Sequence, residues 1–126
     1  MAAELAKGRE QGVNVPDLAA LSWIEVRDLP APLWPLPREI HRGEAEVLAL
    51  AAEAPESLVI LDDTAARAHA KALGLKVTGT LGILLRAKQD ARIHAMRPLL
   101  DQLERLGFRL AEHTRAAVLR LADEAD

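Results

Sequence analysis

The sequence predicts an α/β domain, richer in helix than in sheet, with a short parallel sheet flanked by helices. Half of the 126 residues are hydrophobic, yet Ala and Leu supply most of that half, and the aromatics are limited to Trp23, Trp34 and Phe108. That composition favours helix packing with a small β component. Residues 43–82, GEAEVLALAAEAPESLVILDDTAARAHAKALGLKVTGTLG, read as helix, strand, helix, strand, the alternation that builds a parallel sheet. The strand-like run 58–61 ends in Asp62 and Asp63, which puts two carboxylates at the carboxyl end of a strand, where open α/β sheets place their ligand sites.

Taken in order, residues 2–9 have helical composition, limited by Gly8 and Gly12, and residues 16–21 make a short helical turn opened by Pro16 and Asp17. Residues 23–26, Trp-Ile-Glu-Val, alternate well enough for a short strand. Pro30, Pro32, Pro35 and Pro37 leave 28–37 as an extended loop, whose Trp34 is expected to pack it onto the core. The helix over 43–54 is apolar almost all round and is expected to be buried on more than one side. After the 58–61 strand, an alanine-rich helix spans 64–73 with Gly74 as its C-cap, and 76–78 forms a second strand. A tight turn over Gly79-Thr80-Leu81-Gly82 leads into a helix over 81–88. Met96, Leu99, Leu100, Leu103 and Leu106 mark an amphipathic helix opened by Pro98 and ended by Gly107. A last helix over 111–124 presents Val118, Leu121 and Ala122 on one face.

At this length one domain, 1–126, is expected, with a single core. No run approaches the roughly 18 apolar residues of a membrane span, and Met1 is followed by no basic-then-apolar signal pattern, so no membrane association and a cytoplasmic location are expected. The absence of cysteine removes disulfides and thiolate chemistry. A net charge of -3 argues against a broad phosphate-clamping surface and for local handling of any nucleic acid. His41, His69, His94 and His113 are too dispersed for a paired-ligand zinc motif, and neither Ser22 nor Ser57 sits in a glycine-flanked nucleophile elbow. The turn at Gly79 lacks the lysine of a P-loop and the third glycine of a dinucleotide fingerprint. Close packing explains its glycines better than phosphate binding by its amides.

The carboxylates remain. Glu44 and Glu46 fall in the first turn of one helix, and Asp62 and Asp63 follow a strand and open the next helix. Acids favour helix N-termini on structural grounds alone, by about 0.3–1 kcal/mol. Two to four converging acids would also hold a hard divalent cation for phosphodiester cleavage.

On these residues the chain resembles the PIN-domain family, most closely its VapC-like nuclease branch, whose members carry GEAE, an acidic pair after a strand and a GTLG turn in this order. The resembling segments are GEAEVLALA, LVILDDTAARAHAKALGLKVTGTLGILLRAK and RPLLDQLERLGFRL, with AAELAKG similar to the family's V-x-x-E-L segment. The resemblance implies a three-layer PIN-like fold and a nuclease that gathers acids around Mg²⁺ or Mn²⁺ and cleaves RNA, often as the toxin partnered by an antitoxin protein. It implies Glu4, Glu44 and Asp62 as metal-binding and catalytic acids, with Asp63 as a catalytic neighbour. Family members open with a central strand that ends in an aspartate, and no such strand precedes Glu4 here. Two expectations follow: a metal site short of one acid, and a sheet edge filled by a second copy or another chain. A catalytically silent PIN-like binding module is the alternative. VILDD also resembles the acidic strand end of receiver domains, but it falls mid-chain with no later lysine placed after a strand.

Overall fold

A computed structural model describes residues 1–29 and 35–125 of the chain. Two compact units divide it, Met1–Pro55 and Glu56–Asp126.

In the first unit, α1 (Ala2–Glu10) buries none of its residues. It ends through Gly12, at φ 81°, with Val13 N–H donating to the Gly8 carbonyl at 2.9 Å. A single 3-10 turn, Leu18–Ala20, follows, and the Asp17 carboxylate accepts from the Ala19 N–H at 3.2 Å, as the Pro16-Asp17 pair predicts. The strand expected over 23–26 does not form. Trp23 is 80 % exposed and Val26 56 %, and no described strand offers these residues hydrogen bonds, so the alternation has neither a face to bury nor a ladder to join. Leu29 and Pro35 at the two sides of the proline-rich segment are irregular, as expected; Pro30, Pro32 and Trp34 lie outside the described residues. In α2 (Arg42–Glu53) the buried residues are Ala45, Leu48 and Ala51, one stripe at three-residue spacing. The expectation of burial on more than one side is therefore too strong: Ala52 is exposed, and Arg42 pairs with Glu46 at 3.0 Å on the solvent side.

The second unit is built on a βαβ element. Strands β1 (Leu58–Ile60) and β2 (Lys76–Thr78) pair in parallel, with Leu58 opposite Lys76, Val59 opposite Val77 and Ile60 opposite Thr78. The ladder runs one step further, since Leu61 N–H donates to the Thr78 carbonyl at 2.8 Å. Between the strands, α3 (Thr64–Ala72) packs against β2 and buries Ala66 and Ala70, whose small side chains permit a close approach. It ends as Gly74 predicts. That residue sits at φ 75°, its N–H donates to the Lys71 carbonyl, and Leu75 N–H reaches the Ala70 carbonyl, each at 3.0 Å, the two bonds of a Schellman cap.

Helix α4 (Thr80–Gln89) begins directly after Gly79, so the expected tight turn over 79–82 is the N-cap and first helical turn instead. Helices α5 (Arg97–Arg105) and α6 (Glu112–Leu121) complete the core, in which Met96, Leu100, Leu119 and Ala122 are buried and Leu81, Leu84, Leu85, Ile93, Leu110 and Val118 pack around them. Leu106 and Leu121, expected on buried faces, are instead 81 % and 62 % exposed. Leu106 follows the last helical residue of α5, where the chain turns into its Gly107 cap, and Leu119 takes the core position one turn before Ala122.

The α5 N-terminus is closed from the far end of the chain. The Glu124 carboxylate accepts from Met96 N–H at 2.6 Å and Arg97 N–H at 3.1 Å, and Lys88 Nζ stands 3.4 Å from it. The Met96 hydrogen bond is the leading reason that the Glu124 carboxyl is held below its ordinary value; burial opposes it, and the Arg97 N–H and Lys88 assist. Arg115 ties α6 to α5 through Asp101 at 2.5 Å and Glu104 at 3.1 Å. No described helix is long and apolar enough to cross a membrane.

Candidate functional site

Parallel register makes residues at equal distances beyond paired strand ends into neighbours. Ile60 pairs with Thr78, so Asp62, two residues past β1, lies beside Thr80, two past β2. The Asp62 carboxylate uses both oxygens there: Oδ1 accepts from Thr80 N–H at 2.8 Å, and Oδ2 accepts from the Thr80 hydroxyl at 2.5 Å. Thr80 opens α4, so the anion also meets the positive end of a helix. A carboxylate offers about four lone-pair directions, so two accepted bonds leave it able to bind a cation while fixing its orientation.

Gly79 makes this seat possible. A Cβ there would stand 2.6 Å from Asp62 Oδ1 and 3.2 Å from the Leu61 carbonyl oxygen, with Arg67 Nη1 at 3.6 Å. Its φ of -131° is open to any residue, so the demand for glycine is purely one of space. A Cβ at Gly82 would likewise overlap the Thr78 hydroxyl. The packing explanation of these glycines is right, and at Gly79 the object packed against is the candidate acid itself. The first amide of α4 serves Asp62 and is not presented to an outside phosphate.

Asp63 does different work. Its Oδ2 accepts from Ala66 N–H at 2.9 Å, which makes it the N-cap of α3 and diverts one oxygen to helix initiation. Of two adjacent aspartates, one caps its own helix and the other is held across the sheet. Glu44 lies in the first turn of α2, half-buried, with Oε2 buried and without a hydrogen-bond partner among the described residues. Glu4 lies in the first turn of α1, 82 % exposed at its side chain, with the Met1 ammonium 4.0 Å away. Glu46 is engaged by Arg42.

Within each unit taken by itself, no three described Asp, Glu or His side chains gather closely enough to hold one ion. Two of the candidate acids nevertheless suit a hard cation by their chemistry. Glu44 has a buried oxygen that lacks a donor, and Asp62 has fixed oxygens with lone pairs to spare.

Sequence reasoning missed Thr80 as the partner of Asp62. The signal was present in the equal two-residue offset from β1 and β2, but it becomes readable only once the register is known. Arg67, in the first turns of α3 and aimed at the same corner, carried no signal beyond helical spacing.

No curated protein and no solved structure matches the chain significantly. A family model described as PIN domain matches residues 1–124, nearly the whole length and both units. The chain therefore belongs to the PIN-domain family, a nuclease fold whose members are generally divalent-metal dependent.

Proposed function

We infer that this chain is a PIN-type endoribonuclease that works with Mg²⁺ or Mn²⁺, and that residues 1–126 act as one domain. The observation that carries the reading is the seating of Asp62 at the carboxyl end of the parallel sheet, fixed at both oxygens by Thr80 in a PIN-domain chain. Asp62, Glu44 and Glu4 are the acids that the family reading assigns as metal ligands, and Asp63 supports Asp62 by starting α3 beside it. When bound, the ion supplies Lewis-acid polarisation of the phosphodiester and an acidified water. The chain's own residues hold the acids in place. Thr80 keeps Asp62 from rotating, and Gly79 leaves room for the carboxylate to stay where Thr80 holds it. Preorganisation of this kind removes reorganisation from the reaction barrier. RNA is the substrate, and a role as the toxin of a toxin-antitoxin pair, held by an antitoxin protein, follows from the same family reading.

Incubating RNA with the chain and Mn²⁺ tests the reading. The expected result is cleavage that EDTA abolishes and that Asp62→Ala reduces by about 100-fold or more. Equal cleavage by the wild type and Asp62→Ala would refute it.

A second reading, a catalytically silent PIN-like module that binds a protein partner or a second copy, is favoured by one observation. Leu58 and Ile60, on the same face of β1, are 56 % and 53 % exposed, and strands of a parallel sheet are ordinarily covered on both faces. Metal-independent self-association in light scattering, with no cleavage of any RNA, would favour that reading.

A further inference from the structure

Arg67 is the cation of the corner that holds Asp62. It lies on α3, half-buried, with Nη1 3.6 Å from the point that a Gly79 Cβ would occupy, and Asp62 Oδ1 stands 2.6 Å from that same point. A guanidinium this close to a carboxylate would ordinarily pair with it in a two-bond fork. Instead both Asp62 oxygens go to Thr80. Among the described residues no carboxylate lies within ion-pair distance of the Arg67 guanidinium and no acceptor takes a hydrogen bond from it, its backbone N–H alone donating, to the Asp63 carbonyl, whereas Arg86 and Arg115 both have carboxylate partners. None of the Arg67 guanidinium nitrogens is among the buried side-chain atoms without a partner, so the fork stays open to solvent and accessible to a ligand. A donor fork left open beside a fixed acid is arranged for an anion brought from outside, and the planar fork matches the two non-bridging oxygens of a phosphodiester.

We propose that Arg67 binds a backbone phosphate of the RNA substrate next to Asp62, so that the strand is placed against the acid by one local cation. The inference rests on the nuclease reading and deepens it. It also gives a chain of net charge -3 a local cation with which to meet a polyanion. Arg67 receives the phosphate, Asp62 faces the reacting side, and Thr80 keeps the acid from closing onto the guanidinium.

The test is fluorescence anisotropy of a labelled single-stranded RNA in EDTA, where cleavage cannot interfere, over a range of salt concentrations. Wild type is compared with Arg67→Met, which keeps the apolar stem, and Arg67→Lys, which keeps the charge and loses the fork. The expected result is binding about tenfold weaker in Arg67→Met, with the slope of log affinity against log salt smaller by about 0.7. Arg67→Lys should fall between the two, and melting temperatures should be unchanged. A purely structural arginine would lower the melting temperature and leave the salt slope alone. Equal affinity and slope in wild type and Arg67→Met, or no RNA binding by the wild type, would overturn the proposal. Asp62→Ala, run in parallel, separates the two ideas: its loss of Mn²⁺-dependent cleavage with RNA affinity intact would leave the nuclease reading standing whatever becomes of Arg67.

Discussion

The two units place their acids in opposite ways. In Glu56–Asp126, Asp62 and Asp63 each sit on a carboxylate seat built by the fold, one across the parallel strands and one on the first turn of a helix. In Met1–Pro55, Glu4 projects from a helix with no buried residue, and Glu44 has a buried oxygen that no described group satisfies. A carboxylate already held by donors loses little freedom when a cation binds, whereas a free glutamate must give up several rotatable bonds. The second unit thus holds its candidate acids preorganised, whereas an exposed acid of the first, such as Glu4, could bind an ion only by being ordered.

Substitutions can break or sharpen this contrast. The largest effect after removal of Asp62 itself is expected at Gly79→Ala, because the new Cβ would overlap Asp62 Oδ1 and press on the Leu61 carbonyl. Mn²⁺-dependent cleavage should fall by about 100-fold, with a smaller drop in melting temperature. Thr80→Val removes the hydroxyl but keeps the N–H, and it should weaken Mn²⁺ binding by about tenfold in calorimetry. Unchanged affinity would mean that the Asp62 seat contributes nothing to the site.

The Glu124 clamp measures how firmly the second unit is fixed. Glu124→Gln should destabilise the chain by about 1–2 kcal/mol, because a charged cap on Met96 and Arg97 N–H becomes neutral. The folded value of this carboxyl is lowered, so its contribution is complete above the unfolded carboxylate value and is lost as pH falls through the lower, folded value. Thermal melts of the wild type should therefore lose stability in that acidic window, and Glu124→Gln should lose less. The smallest effect is expected at Glu4→Ala, below about threefold in Mn²⁺ affinity, since an exposed glutamate must be ordered to bind. A loss at Glu4 as large as at Asp62 would erase the distinction between the units.

The sequence made much of the second unit legible, because its elements carry local signals. Gly74 and Gly107 mark helix ends by their positive φ, Pro98 opens α5, and Asp62-Asp63 separates β1 from α3. Other features depend on contacts that no local pattern encodes. Ala91 at φ 55° and Asp123 at φ 57° end helices in the left-handed conformation without glycine. Backbone bonds from Arg92 N–H to the Ala87 carbonyl at 2.7 Å, and from Glu124 N–H to the Leu119 carbonyl at 2.8 Å, offset that cost. Glu124 capping a helix that starts 27 residues earlier is invisible until the chain folds. Residues 23–26 alternate like a strand, but a strand needs a neighbour, and Trp23 stays exposed. In the site, the acids were readable by type and position, while the division of labour between Asp62 and Asp63 came only from the register that brings Thr80 alongside.

Calorimetric titration with Mn²⁺ of the wild type, Asp62→Ala and Asp63→Ala tests the central claim most directly, since the two aspartates are adjacent and differ only in what holds them. The account predicts that binding disappears in Asp62→Ala and persists in Asp63→Ala, which should instead lose about 1 kcal/mol of stability with its helix cap. Undiminished binding in Asp62→Ala, or loss of binding in Asp63→Ala alone, would contradict it.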